Sequence, residues 1–381
     1  MPEAKPQALP LDGLLRRAAA VAPTRAAIRH GAHVLSYGDL DRAADGFAAA
    51  LRRHRPGTVV GVTAALHPAF PVAYYGTVRA GHVCAVVDPT EDALDQVIER
   101  AGITVLVATA GMADRLRRVR IERDDLTVIY LDQPGEHGGR TVAALARAHT
   151  GRRAAGGPDL DAVACLRVRP DLVPLTHRNL TVGAAQAARA YGFEPGSTVV
   201  NQLPTYEQVY LNAAVHAAAT QVLCADPDPA GGVTLAGREA ATHYCGLPAP
   251  LAKLAADPRE THPRTSTVRA VLASGASLTP AAALRLANRV GAPLVQWYGP
   301  AGGPLTHCDR LDGPTAGSVG WPVADTDCHV VGESGKPGQV KVRGPQVATA
   351  MTDPDGWLRT GDLGYLDEAG ALFLVEGEVA R

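Results

Sequence analysis

Apolar and polar positions divide the chain into three stretches. From Leu11 to about Val163, helical periods alternate with short β-branched runs. Leu14–Ala20 and Asp39–Arg52 carry apolar residues at helical spacing, whereas Val59–Thr63, Val83–Val87, Thr104–Ala108 and Thr127–Leu131 are apolar runs of buried-strand length. This order predicts a largely parallel sheet covered by helices. A Gly/Ala-rich connector, His149–Pro158, leads into a second α/β stretch from Asp161 to about Pro304. After Asp309 short strands alternate with Gly, Pro and Asp, and GESGKPG (332–338) reads as a hairpin turn. Three subdomains are therefore expected: α/β over 1–157, α/β over 158–305 and a small β-rich unit over 306–381.

The 381 residues allow a large core, and the formal net charge of -1 gives no electrostatic reason to expect nucleic acid or an anionic membrane as partner. Lys5, Lys253, Lys336 and Lys341 are the only lysines, so positive charge is nearly all arginine. Cysteines at 84, 165, 224, 245, 308 and 328 show no CxxC pair and no metal-ligand spacing, which predicts buried thiols, no metal and a reducing compartment. The N-terminal MPEAKPQALPLDGLL has no signal-peptide pattern, and no apolar run is long enough to span a bilayer, so a cytoplasmic protein is expected. Oligomeric state is not legible.

Residues 161–180 read DAVACLRVRPDLVPLTHRNL. Thr176 can cap a helix continuing through Ala190 by accepting an early backbone N–H. The segment LTHRNL is one of several blocks, with LSYGDL (35–40), YYGTVRAGHVCAVVDP (74–89), NQLPTYEQVYLN (201–212), SGASLTP (274–280), WYGP (297–300) and GWLRTGDLGYLDEAGALFLV (356–375). In order and spacing these resemble the large N-terminal domain of AMP-forming adenylating enzymes: acyl-CoA synthetases, fatty acyl-AMP ligases, nonribosomal peptide adenylation domains and luciferases. The resemblance implies an α/β fold with two doubly wound subdomains in an αβαβα arrangement plus a small β-barrel-like subdomain. It places Gly275, Ala276 and Ser277 in a turn whose backbone packs on adenine, Trp297, Tyr298 and Gly299 in the block whose aromatic ring stacks on the base, and Asp362 where a carboxylate accepts the ribose hydroxyls. Tyr206 falls on the aromatic position of the acyl pocket and Glu207 on its histidine position. Gly76 and Gly81 are expected to permit close helix–sheet packing.

Departures from the resemblance are equally ordered. The family carries a Ser/Thr/Gly-rich loop directly before LTHRN, where backbone N–H groups, hydroxyls and a lysine surround phosphate oxygens. Here Cys165-Leu166-Arg167-Val168-Arg169-Pro170 has no glycine, hydroxyl or lysine. Read without a gap, Pro170 falls on the family proline and Asp171 on its lysine; read with one, Cys165 to Val168 finish a strand. Both readings remove the loop and leave Thr176 and His177 as its remnant. The magnesium-binding Glu after Tyr298-Gly299 is replaced by Ala301-Gly302, with no carboxylate until Asp309. Glu376, Gly377 and Glu378 stand near the place of the family arginine, and the catalytic lysine belongs to a C-terminal domain expected to be absent here.

The sequence thus favours an adenylating-enzyme homologue that no longer adenylates, a pseudoenzyme or repurposed protein. It would bind a small acyl or amino-acyl ligand, free or tethered to a carrier protein, or a pathway enzyme, in secondary metabolism. No cofactor is expected. ATP and magnesium enter only under one alternative, a working ligase with a compensating loop or a partner chain's C-terminal domain. A second alternative is an ATP-independent catalyst on an activated thioester, with Glu207 as base. His177, His243, His307, Cys245 and Cys308 are further polar candidates, read first as core or rim residues.

Overall fold

The computed structural model describes residues 9–122, 125–134, 138–151, 158–168, 171–257, 265–275, 278–333 and 336–375. The chain forms two compact units, Met1–Thr24 with Ser36–Val182, and Arg25–Leu35 with Gly183–Arg381. The boundary expected at residue 157 is therefore corrected to Val182. The strands after the connector complete the first sheet instead of starting the second.

The first unit begins with α1 (Leu11–Val21). The chain then gives β1 (Ala26–His30) and β2 (His33–Ser36) to the second unit's sheet before returning in α2 (Tyr37–Leu51). Ser36 Oγ caps α2 by accepting the Asp39 N–H at 3.1 Å. β3 (Val59–Thr63), α3 (Ala69–Arg79), β4 (Val83–Val87), α4 (Leu94–Ala101), β5 (Ile103–Ala108), α5 (Ala113–Glu122), β6 (Thr127–Tyr130) and α6 (Val142–Ala148) follow in the predicted alternation. β7 (Val163–Arg167) and β8 (Val173–Thr176) end the six-stranded sheet, ordered β6-β5-β3-β4-β7-β8, and α7 (His177–Tyr191) leaves it. All pairs in this sheet are parallel except β7–β8.

The two glycines of the YYGTVRAG block do different work from that expected. A Cβ on Gly76 would lie 2.9 Å from Phe47 and 3.1 Å from the Ala44 carbonyl, so its smallness brings α3 against α2, helix on helix. Gly81 has φ +81° and open space around it, so it serves the left-handed turn after α3 and packs against nothing.

In the second unit, β9 (Thr198–Asn201), α8 (Gln208–Ala217), β10 (Thr220–Leu223), α9 (Pro229–Arg238), β11 (His243–Cys245), α10 (Pro248–Ala256), β12 (Ala270–Ser274), α11 (Pro280–Val290) and β13 (Leu294–Tyr298) build a parallel sheet. Short antiparallel β14 (His307–Cys308) and β15 (Trp321–Pro322) extend it to the order β15-β14-β13-β12-β11-β9-β10-β1-β2. A separate antiparallel sheet holds β16 (Asp327–Val331), β17 (Gly338–Arg343), β18 (Leu358–Leu366) and β19 (Leu372–Val375) in sequence order. The turn joining β16 to β17 lies at the predicted GESGKPG.

Arg79 is the charged hub of the first unit. Its side chain is 1% exposed and lies 3.4 Å from Asp12, 2.6 Å from Asp41 and 3.2 Å from Asp45. The guanidinium fork also donates to the Asp41 carbonyl at 2.8 Å, tying α1 and α2 to the end of α3. Arg16 shares two of these carboxylates, Asp12 at 3.5 Å and Asp45 at 3.1 Å, so removing Arg79 leaves three clustered carboxylates under-compensated, at a cost of roughly 3–5 kcal/mol. Arg79→Met is expected to lower the unfolding free energy by about that amount in urea titrations. A loss within experimental error would mean the three carboxylates are stabilised by other groups.

Candidate functional site

At the place of the family phosphate loop the structure has a tight hairpin. β7 and β8 pair antiparallel, with Cys165 opposite Leu175, Leu166 opposite Pro174 and Arg167 opposite Val173. Residues 168–172 are all that connects them. This resolves the two sequence readings in favour of a strand finished at Arg167 and a loop deleted. Arg169 and Pro170 lie outside the described residues.

The capping role expected of Thr176 is present and reciprocal. Thr176 Oγ1 accepts the Asn179 N–H at 3.1 Å, while Asn179 Oδ1 accepts the Thr176 N–H at 3.0 Å and its hydroxyl at 2.9 Å. His177 is buried, and its Nδ1 accepts the Leu11 N–H at 3.1 Å. Burial lowers its pKa against the opposing pull of Asp12 and Asp159. An imidazole that accepts at Nδ1 and is hard to protonate is a structural neutral histidine.

The second unit collects its site residues at the C-terminal ends of parallel strands, where open α/β sheets form ligand crevices. Asn201 and Cys245 end β9 and β11 side by side, and Ser274 lies opposite Trp297 at the ends of β12 and β13. Gly275 follows with φ +100°, and a Cβ there would meet nothing within 4 Å. Gly275 therefore faces open space. Ala276 and Ser277 lie outside the described residues. Glu207 occupies the N-cap of α8, half-buried, with its carbonyl accepting the Leu211 N–H at 3.1 Å. Tyr206 beside it is buried.

Sequence reasoning missed Tyr191 and Tyr210, which join Trp297 in one buried aromatic cluster. Trp297 Nε1–H donates to the Tyr210 hydroxyl at 2.6 Å with the rings edge to face, and Tyr191 packs 5.4 Å from Tyr210 and 6.1 Å from Trp297. Burial raises both phenol pKa values, and the negative charge of Glu207 adds to it. The signal available was an aromatic at the end of α7 and another on α8, which core packing explains equally well.

Tyr298 and Asp362 are brought together: the phenol donates to Asp362 Oδ2 at 2.5 Å. The cause is a bulge in β18. Gln339 faces Leu363 and Lys341 faces Arg359, so two extra residues of β18 are absorbed around Gly361, which takes φ +86°. Thr360 Oγ1 accepts the Asp362 N–H at 3.1 Å and fixes the bend. Burial, and then the facing carboxylate, raise the Tyr298 pKa, so the phenol keeps its proton and remains the donor.

The magnesium-ligand position is substituted and lies among apolar side chains. Gly302, where the family Glu would stand, is buried, and a Cβ there would lie 3.1 Å from Leu358 and 3.4 Å from the Met351 sulfur. A Cβ on Gly299 would collide with the carbonyls of Gly303 and Pro304. The next carboxylate, Asp309, is a scaffold group: Ser318 Oγ donates to it at 3.0 Å and the backbone of Thr315 and Gln296 at 3.3 and 3.4 Å. Burial pushes its pKa up to about 6 against those donors. Cys245 and Cys308 are buried thiols with raised pKa, unsuited to nucleophilic work at neutral pH. His243 and His307 are fully enclosed, each with Nδ1 at a neighbouring threonine hydroxyl, Thr242 at 2.9 Å and Thr306 at 3.1 Å. Among the described residues no cluster of His, Cys, Asp and Glu is arranged to hold a metal, and no helix is long and apolar enough to cross a membrane.

These features define an adenylating-enzyme scaffold, and comparison with known proteins places the chain in it. Residues 15–350 match the AMP-binding enzyme family, and the chain belongs to that family. Feruloyl-CoA synthase of an Amycolatopsis species is 28% identical over 94% of this chain and 77% of its own length. A long-chain-fatty-acid–CoA ligase of Yersinia pestis is 27% identical over 81% of this chain and 65% of its own. Among solved structures, apo MbtA of Mycobacterium smegmatis superposes with TM-score 0.87 at 26% identity, covering 98% of this chain and 77% of that one. ATP-bound MatB from Rhodopseudomonas palustris superposes at 0.83 and 23% identity, over 96% and 78%, a likeness of fold.

Two predictions test these assignments. Gly302→Glu is expected to destabilise the protein by about 2 kcal/mol or more without creating magnesium affinity, because the new side chain enters packed apolar space. Thermal melts with and without magnesium read both effects; a variant stabilised by the ion would show the position to be open. Burial lowers His243 to about 4 and His307 to about 3. The unfolded chain then binds more protons than the folded one below about pH 6.5, so stability falls as pH drops through that window. His307→Asn is expected to remove about 1.4 kcal/mol per pH unit from the slope of unfolding free energy between roughly pH 6 and 4. Parallel wild-type and variant slopes in urea titrations would contradict it.

Proposed function

We propose that this chain has kept the binding scaffold of the AMP-binding enzymes without their adenylation chemistry. On this reading it holds a small acyl or amino-acyl ligand, free or tethered to a carrier protein, in the crevice at the ends of β9, β11, β12 and β13. The observation that carries the reading is the β7–β8 hairpin, whose connection of residues 168–172 leaves no room for a phosphate-cradling loop. The glycine and apolar surroundings at position 302 support it independently. One lost electrostatic contact typically costs about 3 kcal/mol of transition-state stabilisation, and two or more lost together leave little rate even with strong non-additivity. The Arg-, Ala- and Gly-rich composition is in keeping with a setting in secondary metabolism.

A second reading draws on Glu207. A carboxylate at a half-buried helix start, within electrostatic reach of two phenols, suits a base acting on an already activated thioester, a reaction that needs neither ATP nor magnesium.

Pyrophosphate exchange into ATP, run with aryl and fatty acids, together with calorimetric titration of MgATP, decides the main reading. No exchange above background and no heat are expected. Micromolar MgATP binding or acid-dependent exchange would sink the proposal and place phosphate binding elsewhere in the chain. Acyl-pantetheine thioesters address the second reading: turnover by wild type that disappears in Glu207→Gln favours catalysis, whereas binding unchanged by the substitution favours a ligand-holding role.

A further inference from the structure

The β16–β19 sheet has one face in a core and one face outward. Val340, Val342, Leu358 and Leu372 fill the inner side. On the outer side the register runs Val331, Gln339, Leu363, Val375 across all four strands, and the next pair along is Tyr365 with Phe373. Val331, Leu363, Tyr365 and Val375 are 45%, 44%, 40% and 38% exposed, and the Tyr365 and Phe373 rings stack 5.1 Å apart at 4°. These exposed apolar side chains are contiguous rather than scattered, the arrangement found at contact surfaces.

The same face carries charge at its other end. His329, Lys341 and Arg359 lie opposite one another across β16, β17 and β18. Like charges directly opposite in a sheet are destabilising, and among the described residues neither Lys341 nor Arg359 has an ion-pair partner. The neighbouring Arg343 is already neutralised by Asp327 at 2.7 Å. From the basic row to the aromatic pair is about four residues of strand, roughly 13 Å, two to three turns of a helix.

We propose that this outer face docks an acidic amphipathic helix of another protein, its apolar stripe on Leu363, Tyr365, Phe373 and Val375 and its carboxylates over Lys341 and Arg359. A second copy of this chain fits poorly. Among the described residues of these strands there is no unpaired outward carboxylate, so a two-fold contact would set the basic row against itself or against the apolar end. A bilayer fits less well than a helix, because membrane-bound surfaces bury apolar groups several ångströms deep, whereas these side chains lie flush and more than half covered.

The test uses a fluorescein-labelled helical peptide of roughly 18 residues with leucines on one face and glutamates on the other, read by fluorescence anisotropy. Binding to the wild-type protein is expected to weaken at least about tenfold in K341E/R359E and again in L363S/Y365S. It should stay unchanged in R285E, a surface arginine on α11. The same peptide with lysine for glutamate should not bind, and circular dichroism establishes that each variant is folded. Vesicles of phosphatidylcholine with about one-quarter phosphatidylserine form the competing arm. Equal peptide affinity in wild type and both double variants, binding of the lysine peptide, or loss confined to vesicle co-sedimentation would each overturn the proposal.

Discussion

A backbone N–H is a single donor: it can serve a strand partner or an anion, not both. In β7 and β8 it serves the strand. Cross-strand pairing runs from Cys165 to Leu175 and Arg167 to Val173, and the connection is too short to hold a ring of free amides. The shape of the first unit follows from the same choice. The hairpin is what completes the six-stranded sheet, and it hands the chain directly to α7 through the Thr176–Asn179 cap. A phosphate cradle here would need a longer connection between the two strands, since their paired amides have none to spare.

In the second unit the same family inheritance has two opposite outcomes. At Asp362 a two-residue bulge in β18 still aims a carboxylate inward, where Tyr298 meets it. At Gly302 a side chain would start in tight contact with Leu358 and Met351, which would have to move to admit it. One position presents a carboxylate to a phenol and the other is a buried glycine among apolar side chains. The distinction is visible only because burial and bulge geometry are known at each place.

Much of the fold was legible in sequence because its strands are buried on both faces and its helices are amphipathic. Val59–Thr63 and Val83–Val87 fall where the apolar runs end, and α7 follows from Thr176. The errors have physical causes. The domain boundary was placed at a Gly/Ala-rich connector, but sheet membership is decided by pairing across β4 and β7, which composition does not report. Gly81 was read as a packing glycine because smallness and positive φ leave the same letter in a sequence. For the candidate site, motif order singled out Gly275, Trp297, Tyr298 and Asp362 one by one, whereas the Tyr298–Asp362 bond depends on a bulge of two residues that no motif reports. Tyr191 and Tyr210 were missed because an aromatic at helical spacing has the same pattern whether it lines a crevice or fills a core.

The Thr176–Asn179 cap has a wider bearing. LTHRNL stands next to the nucleotide chemistry of its family, yet here its letters have structural partners: threonine and asparagine cap each other at the start of α7, the histidine accepts a backbone N–H from α1, and Arg178 grips Asp161 at 2.7 Å. A signature whose letters are needed to begin a helix can be kept for that reason alone. Where such a motif is met alone, it reports ancestry and architecture, and the question of activity passes to the residues just before it.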